Sequence, residues 1–311
     1  MTRSKASLRN GLSALSVLLL STSPAAAQTI PDGFREVIFY DDFSTPLTDN
    51  WEFDLGRSYP GGPDGWGTGE IQTYTDSLAN IAVDSGNLVI TPLRDATGAW
   101  SSSRIEGRPE NDWACPPGGR LRVEASLKLG ADAEAVQAGI WPAFWALGST
   151  YRGDYNNWPA VGEIDILESP NGMARTWHTV HCGVTPGGPC DETNGVGGNA
   201  DFSRGVFHVI SVEISRAAGD GDWQADSITY AVDDVTTTTV TGGDVGDATA
   251  WAALAHEPKF LIFNVAVGGG FPDAIAGAAT PNEATAGGPG AALEVDASRS
   301  TVLVGLRPVA K

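Results

Sequence analysis

Short apolar runs alternate with turn residues along most of the chain. These runs predict strands at residues 37–40, 71–74, 87–91, 120–125, 206–214, 227–232, 259–267 and 301–306. Only residues 247–255 indicate a helical turn, and residues 61–65 and 276–292 indicate long surface loops. Many strands without helices to cover a parallel sheet predict an all-β sandwich of two antiparallel sheets in one domain.

One of the apolar runs carries three carboxylates, because residues 162–168 read GEIDILE. Side chains alternate faces along a strand, so Glu163 and Asp165 point the same way. Glu168 lies five residues after Glu163 and would face the opposite side of a regular strand. A single β-bulge after Asp165 would turn it back beside the others. We therefore predict a bulged strand with all three carboxyls on one face.

Three acids crowded on one face repel each other when ionised, so at least one should keep its proton near neutral pH. One ionised carboxylate beside one protonated carboxyl is the pair that glycoside hydrolysis requires. Two other interpretations fit the bare pattern: a charged strand face in water, and an oxygen-rich cation site.

Four sequence segments that flank the acidic stretch favour one of these interpretations. Residues 139–148 read GIWPAFWALG, 157–159 read NWP, 179–183 read TVHCG and 264–269 read NVAVGG. Together with the acidic stretch they resemble glycoside hydrolase family 16, in particular its laminarinase-like branch, over residues 34–296. The resemblance implies a β-jelly roll with a concave substrate cleft. It also implies retaining hydrolysis of β-1,3- or mixed β-1,3/1,4-glucan.

The resemblance assigns roles to the acids. Glu163 would be the nucleophile, Glu168 the general acid/base, and Asp165 a hydrogen-bond partner that tunes the charge of Glu163. His181 resembles the family's active-site histidine, which contacts the central carboxylate; the alternative is a buried histidine satisfied by backbone. His178 is not assigned to the site, because it would face the same side only on an irregular strand.

Candidate sugar-binding residues follow from the same resemblance. Trp145 and Trp158 match aromatic positions of the cleft, where indoles stack on the apolar faces of sugars, although core packing is the usual role of tryptophan. Phe271 follows three glycines, at a position where family members often carry tryptophan. Three polar residues match cleft positions as well: Glu70, Arg104 and Asn264.

Composition limits the partners. The net charge of −19 makes nucleic acid an unsuitable partner, and 41% hydrophobic residues suffice for a sizeable core. Residues 1–27 combine early cations, an apolar run at 12–20 and three alanines, which is typical of a secretory signal peptide. We therefore expect residues 28–311 to form a secreted, monomeric catalytic domain that needs no cofactor and binds β-glucan but no membrane.

Three cysteines leave one without a partner. Cys182 and Cys190 bracket the short loop 185–189, so we predict this pair, with pairing of Cys115 to either of them as the alternative. The C-terminal stretch departs from the family pattern, because residues 294–296 are followed by ASRS. This leaves open the pairing of the closing strand and a calcium site near Asp296, and no metal is predicted.

Three other functions remain compatible with these residues. A transglycosylase that remodels cell walls, or a hydrolase of another polysaccharide, would use the same acids with different cleft loops. A non-catalytic β-glucan-recognition protein would belong to another class. Such relatives typically lack the catalytic glutamates, whereas Glu163 and Glu168 are both present here.

Overall fold

Two β-sheets packed face to face form the body of the molecule. The first sheet has seven strands in the spatial order β1 (Trp51–Phe53), β7 (Arg104–Gly107), β16 (Lys259–Val267), β9 (Ile140–Gly148), β10 (Glu163–Glu168), β11 (Arg175–His181) and β12 (Val196–Asp201). The second sheet runs in the order β15 (Val235–Thr241), β14 (Ser227–Val232), β13 (His208–Ser215), β8 (Gly119–Leu129), β17 (Leu293–Asp296), β4 (Asn87–Ile90) and β3 (Ile81–Asp84). Neighbouring strands in both sheets are antiparallel, so the predicted sandwich is confirmed.

This computed structural model describes residues 36–216 and 221–296, together with Met1, Phe34 and the backbone of residues 305–308. The predicted signal peptide, residues 1–27, lies outside the described residues apart from Met1. Within the described ranges, no helix combines the length and the apolar character needed to cross a bilayer.

The main hydrophobic core lies between the two sheets. Strand β8 alternates buried and half-buried positions, so that Leu121, Val123 and Leu127 belong to the core. On the facing sheet, Phe144 of β9 and Phe263 of β16 stack with their ring centroids 4.6 Å apart. Full burial of one such side chain stabilises the fold by about 1.5–3 kcal/mol, so this core dominates the stability of the domain.

Strand β16 is buried along its whole length, because both of its faces are covered. Phe263 and Val265 belong to the main core, whereas Phe260 and Ile262 join a second apolar cluster with Leu147. The half-buried aromatic side chains that pack on this second cluster are Tyr59, Trp145, Tyr155 and Trp158. The outer face of the seven-stranded sheet thus has an apolar base that carries aromatic side chains.

Two predicted strands differ from the structure. Residues 37–40 form no strand, and Phe39 instead packs edge-on against Trp51 with their ring centroids 5.9 Å apart. Phe39 is the buried residue of this run, whereas Ile38 is exposed. Asp41 holds the irregular segment in place by accepting a 2.7 Å hydrogen bond from Trp51 Nε1. The strand predicted at 71–74 shortens to β2 (Thr73–Tyr74), which pairs in parallel with β6 (Trp100–Ser102) in a third, small sheet completed by β5 (Leu93–Arg94).

Helices are short. The predicted turn at 247–255 is α2 (Ala248–Ala255), which begins where Asp247 accepts a hydrogen bond from the Ala250 N–H. It follows α1 (Gly242–Val245), and α3 (Gly270–Ala276) was not predicted, because the glycines that open it have poor helix propensity. Single 3-10 turns lie at Leu47–Asp49, Asp64–Gly67, Pro109–Asn111, Glu134–Val136, Ser149–Tyr151, Pro170–Gly172, Trp223–Ala225 and Pro289–Ala291.

The C-terminal region resolves the pairing that the sequence left open. Strand β17 lies between β8 and β4, with Leu293 opposite both Leu129 and Ile90. The strand predicted at 301–306 corresponds to β18 (Gly305–Pro308), which pairs with the first residues of β8, while residues 297–304 lie outside the described part of the chain.

Candidate active site

The acidic stretch forms β10 in the seven-stranded sheet. Strand β10 pairs with β9 as far as Asp165, and its next paired residue is Leu167. Ile166 is therefore the extra residue of a β-bulge, which confirms the prediction made from the spacing. Ile166 and Leu167 both enter the main core, so Glu168 returns to the outer face, where Glu163 and Asp165 also lie.

Indole groups hold the two outer carboxyls. Trp158 Nε1 donates to Glu163 Oε2 at 3.2 Å, and Trp141 Nε1 donates to Glu168 Oε1 at 3.0 Å. Both glutamates are half-buried, whereas Asp165 between them is buried. The two glutamates are thus oriented by separate donors on either side of a shared aspartate.

Burial and mutual repulsion perturb the acids. Burial, followed by the charge of Asp165, raises the pKa of Glu163. The same two causes raise the pKa of Glu168 well above its usual value. Burial also raises the pKa of Asp165, although contacts with His181 oppose this change. The cluster therefore holds protons at pH values where separate carboxyls are ionised.

His181, at the end of β11, contacts the central carboxylate, in agreement with the prediction. Its Nε2 lies 3.3 Å from Asp165 Oδ2, and its Nδ1 lies 2.8 Å from Glu192 Oε2. Glu192 was not predicted, because it lies in an irregular loop outside any strand pattern. It lies two residues after Cys190, whose predicted disulfide with Cys182 the structure confirms.

Cys115 is the remaining cysteine, and it is a buried free thiol. Burial raises its pKa to about 12. The thiol is therefore protonated and unreactive at neutral pH, and the alternative pairings of Cys115 do not occur.

His178 faces the core, as expected for a residue on a regular part of β11. Its Nδ1 lies 2.8 Å from the carbonyl oxygen of Ile166, the bulge residue, and its ring stacks on Tyr230 at 5.0 Å. Burial lowers the pKa of His178 to about 4, so the ring is neutral and Nδ1 donates its proton to that carbonyl. His178 was not assigned to the site from the sequence. Its ring nevertheless bonds the carbonyl group of Ile166, the residue that the bulge removes from the regular pairing with β9.

Aromatic side chains lie on both sides of the acids. Trp158 is half-buried beside Glu163, and its ring centroid lies 5.6 Å from that of His181. On the Glu168 side, Phe271 of α3 makes edge contacts with Trp141 and Trp177, each at 5.6 Å between centroids. Trp177 was not predicted; it is half-buried and pairs opposite Glu168 across β10 and β11.

Trp145 contacts two of the predicted polar residues. Asn264 Oδ1 accepts a 2.8 Å hydrogen bond from Trp145 Nε1, and the guanidinium of Arg104 lies 4.9 Å from the ring centroid of Trp145. Arg104 also forms a 2.8 Å ion pair with Asp54 and lies 4.5 Å from the ring centroid of Trp66. Arg104 and Asn264 are each 4% exposed, so their geometry fits support of the aromatic surface better than contact with a sugar.

Glu70 has a similar buried position. It is 4% exposed, and its carboxylate accepts hydrogen bonds from Thr68, Gln72 and Tyr74 at 2.6–2.9 Å. Tyr74 in turn accepts a 3.0 Å hydrogen bond from Asn264 Nδ2. The predicted sugar contact of Glu70 therefore has little accessible surface to support it, and the sequence did not reveal this buried network.

Glu163, Asp165 and His181 bring three potential ligand atoms within 4.8 Å of one another, a spacing compatible with a cation. Both ring nitrogens of His181, however, are already engaged by carboxylate oxygens. We therefore interpret the cluster as an ion-pair network, and the absence of a metal requirement stays a prediction.

Comparisons with known proteins agree with this geometry. Residues 132–199 match a family model described as "XgeA-like, catalytic GH16 domain". That segment contains β9, β10, β11 and most of β12, and therefore the three acids and His181.

A solved structure of an endo-1,3-beta-glucanase from Streptomyces sioyaensis is 43% identical and superimposes with a TM-score of 0.80, covering 90% of this chain and 99% of that one. A glucan endo-1,3-beta-glucosidase A1 of Niallia circulans is 30% identical, and the match covers 79% of this chain but only 35% of that protein. A glucan endo-1,3-beta-glucosidase of Cryptopygus antarcticus is 29% identical, over 72% of this chain and 77% of that protein.

Proposed function

The chain belongs to glycoside hydrolase family 16, and from that premise we propose that it is a retaining endo-β-1,3-glucanase acting on laminarin-like glucans. The observation that carries this proposal is the bulge in β10, which presents Glu163 and Glu168 on one face with Asp165 between them. Retaining hydrolysis requires two carboxyls that reach the same glycosidic bond.

The reaction proceeds in two displacements. The carboxylate of Glu163 attacks the anomeric carbon and forms a glycosyl ester, while the bond to the leaving oxygen breaks and Glu168 gives that oxygen its proton. Glu168 then takes a proton from water, and the resulting hydroxide attacks the anomeric carbon and releases Glu163. The negative charge of Asp165 favours the protonated form of Glu168, and the positive charge of His181 partly offsets this effect.

In the proposed mechanism, half-buried aromatic side chains bind the substrate. Trp158 and Trp145 stack on sugars beside Glu163, and Phe271 stacks on the leaving-group side beside Glu168. Support comes from their half-buried positions and from the contacts of Trp158 and Trp141 with the two glutamates. Mixed β-1,3/1,4-glucan is the second substrate, because the same cleft would accept a chain with either linkage.

The stereochemistry of the first product tests the mechanism. Two inversions at one carbon restore its configuration, so the first product from a β-1,3-glucan oligosaccharide is the β-anomer. Proton NMR during the first minutes of reaction, before mutarotation, distinguishes the anomers. An initial α-anomer would exclude the glycosyl ester of Glu163.

The substrate class is tested by reducing-end release from laminarin, mixed-linkage glucan and a β-galactan. We expect rapid release of short oligosaccharides from laminarin. Products longer than the starting oligosaccharide would indicate a transglycosylase. Preference for the galactan would indicate a hydrolase of another polysaccharide. Binding of laminarin without release of reducing ends would indicate a non-catalytic recognition protein.

Truncation of Trp158 tests the binding surface. Trp158→Ala should weaken oligosaccharide binding while costing clearly less than the about 3–5 kcal/mol of unfolding free energy that a fully buried tryptophan loses. Calorimetric titration and thermal unfolding are measured on the same variant. Trp158→Phe is the matched control, since it keeps a ring but loses the donor to Glu163, and it should affect the pH profile more than binding. Loss of several kcal/mol of stability with unchanged affinity would place Trp158 in the core.

We also propose that residues 1–27 are removed on export and that residues 28–311 act outside the cell as a monomeric domain. The order of cations, apolar run and alanines supports this proposal. Intact mass and light scattering of the exported protein test it, and a mass that still includes residues 1–27 would refute the cleavage.

A further inference from the structure

His181 lies between two carboxylates. Its Nδ1 is 2.8 Å from Glu192 Oε2, and its Nε2 is 3.3 Å from Asp165 Oδ2. A neutral imidazole carries one N–H, so one of these contacts would then join a nitrogen lone pair to a carboxylate oxygen. When Asp165 and Glu192 are both ionised, the hydrogen bond to Glu192 and the ion-pair contact with Asp165 are both attractive only if both ring nitrogens are protonated. The geometry therefore fits an imidazolium cation.

Glu192 is held firmly in this position. Its side chain is fully buried, and its Oε1 accepts a 2.8 Å hydrogen bond from the Cys182 N–H. Its backbone pairs through two hydrogen bonds of 2.6 Å with Gly187, which lies in the loop that the disulfide between Cys182 and Cys190 closes. A buried carboxylate is costly without partners, and His181 is the cation it contacts.

We propose that Glu192 is a positioning residue, which holds His181 as an imidazolium against Asp165 and so fixes the charge between the two catalytic glutamates. This inference rests on the proposed roles of Glu163 and Glu168. Glu192 itself lies behind His181 and acts through it.

The charged groups that face His181 come from two elements. Glu163 and Asp165 lie on β10, Glu192 lies in the segment that follows Cys190, and the ring of Trp158 covers another side of the imidazole. Burial alone would lower the pKa of His181, but its contacts with Asp165 and Glu192 outweigh burial and raise that pKa well above its usual value. The raised pKa of His181 therefore agrees with the imidazolium that its two carboxylate contacts indicate.

The protonation of His181 can be measured directly in the unmodified protein. Nitrogen-15 NMR should show both ring nitrogens of His181 still protonated well above pH 6.5, near which a free histidine titrates. The chain has four histidines, and the His181→Gln variant identifies the signals of this ring. A His181 that titrates near the ordinary value would overturn the inference, whatever the enzyme hydrolyses.

Glu192→Gln should convert His181 to the neutral form. Glutamine has one carbonyl oxygen, which the Cys182 N–H engages, so its amide N–H₂ faces Nδ1 of His181 and requires that nitrogen to accept. Asp165 then loses the cation that neutralises it and raises the pKa of Glu163. The charge of His181 affects the pKa of Glu163 more than the charge of Glu192 does. Losing the cation therefore outweighs losing the carboxylate, and the pKa of Glu163 rises.

The acid limb of kcat/KM in Glu192→Gln should therefore move to higher pH. We expect kcat to fall between about tenfold and about 10²-fold, the range for a misplaced catalytic group, with KM changed by less than about twofold. Asp191→Asn is the matched control, because it removes the same charge from an exposed neighbour and should leave the profile in place.

A shift of the acid limb to lower pH would mean that His181 keeps its charge without Glu192, and it would overturn the inference. An unchanged limb, with folding intact by thermal unfolding, would overturn it as well. If Glu192→Gln does not fold, the nitrogen-15 measurement on the unmodified protein decides. Loss of hydrolysis in Glu163→Gln with His181 still doubly protonated would support both proposals independently.

Discussion

Glu163→Gln should reduce kcat/KM on a β-1,3-glucan oligosaccharide by about 10⁴-fold or more, because the glycosyl ester can no longer form. The substitution keeps the size of the side chain and removes one charge from a crowded acidic face. Burial, followed by the charge of Asp165, raises the pKa values of Glu163 and Glu168, so the neutral variant should unfold at the same temperature as the parent or a higher one. Stability that rises while activity disappears is the signature of a catalytic acid rather than a structural one.

The role of Glu163 as nucleophile has a chemical test. In Glu163→Ala, azide can enter the space left by the carboxylate and attack the anomeric carbon of an aryl β-glycoside with a good leaving group. One inversion would give the α-glycosyl azide, which NMR identifies. Retention of more than about a tenth of parental activity in Glu163→Gln, equal to about 1.4 kcal/mol of barrier, would show that Glu163 is not the nucleophile.

Glu168→Gln should lower kcat/KM on a glucan by about 10²- to about 10⁴-fold, the usual contribution of general acid–base catalysis. The loss should be much smaller for an aryl glycoside, whose leaving group departs without a proton. The glycosyl ester of Glu163 should then accumulate, because no base activates the water. A burst of aryl alcohol followed by slow turnover is the expected trace.

The pH profile separates the two glutamates further. Glu168 must be protonated to donate, so activity of the parent falls as pH rises through the pKa of Glu168, which burial holds above its usual value. Glu168→Gln should lack this alkaline limb and keep the acid limb, which reports Glu163. Azide should rescue Glu168→Ala to the β-glycosyl azide, the opposite anomer from the Glu163 variant. Equal losses on glucan and aryl glycoside would exclude the acid role.

The sequence predicted the parts of the site that follow from strand periodicity. The spacing of Glu163, Asp165 and Glu168 is compatible with a single face only if one residue is extra, and the structure makes Ile166 that residue. The pairing of Cys182 with Cys190 was predicted because these cysteines bracket a short loop, with pairings of Cys115 as the alternative, and the structure confirms it. Both inferences use local geometry, which the sequence encodes directly.

The remaining parts depend on contacts between distant elements. Glu192 reaches His181 from an irregular loop, and no periodicity indicates where its side chain points. Glu70, Arg104 and Asn264 were predicted as polar residues of the cleft, but each is only 4% exposed, and this burial depends on contacts between segments that are distant in the sequence. Residues 37–40 have the composition of a strand, but they form an irregular segment whose Phe39 packs against the distant Trp51.

The position of β17 has a consequence for the order in which the chain can fold. Residues Leu293–Asp296 are synthesised after almost all of the domain, yet they lie between β8 and β4, which are both complete by residue 129. Until β17 arrives, these two earlier strands have unpaired edges that can bind other strands. Contacts between such distant parts of a chain also form slowly. The sandwich can therefore close only after Leu293–Asp296 have been translated, and a nascent chain stalled before residue 293 would remain open and prone to aggregate.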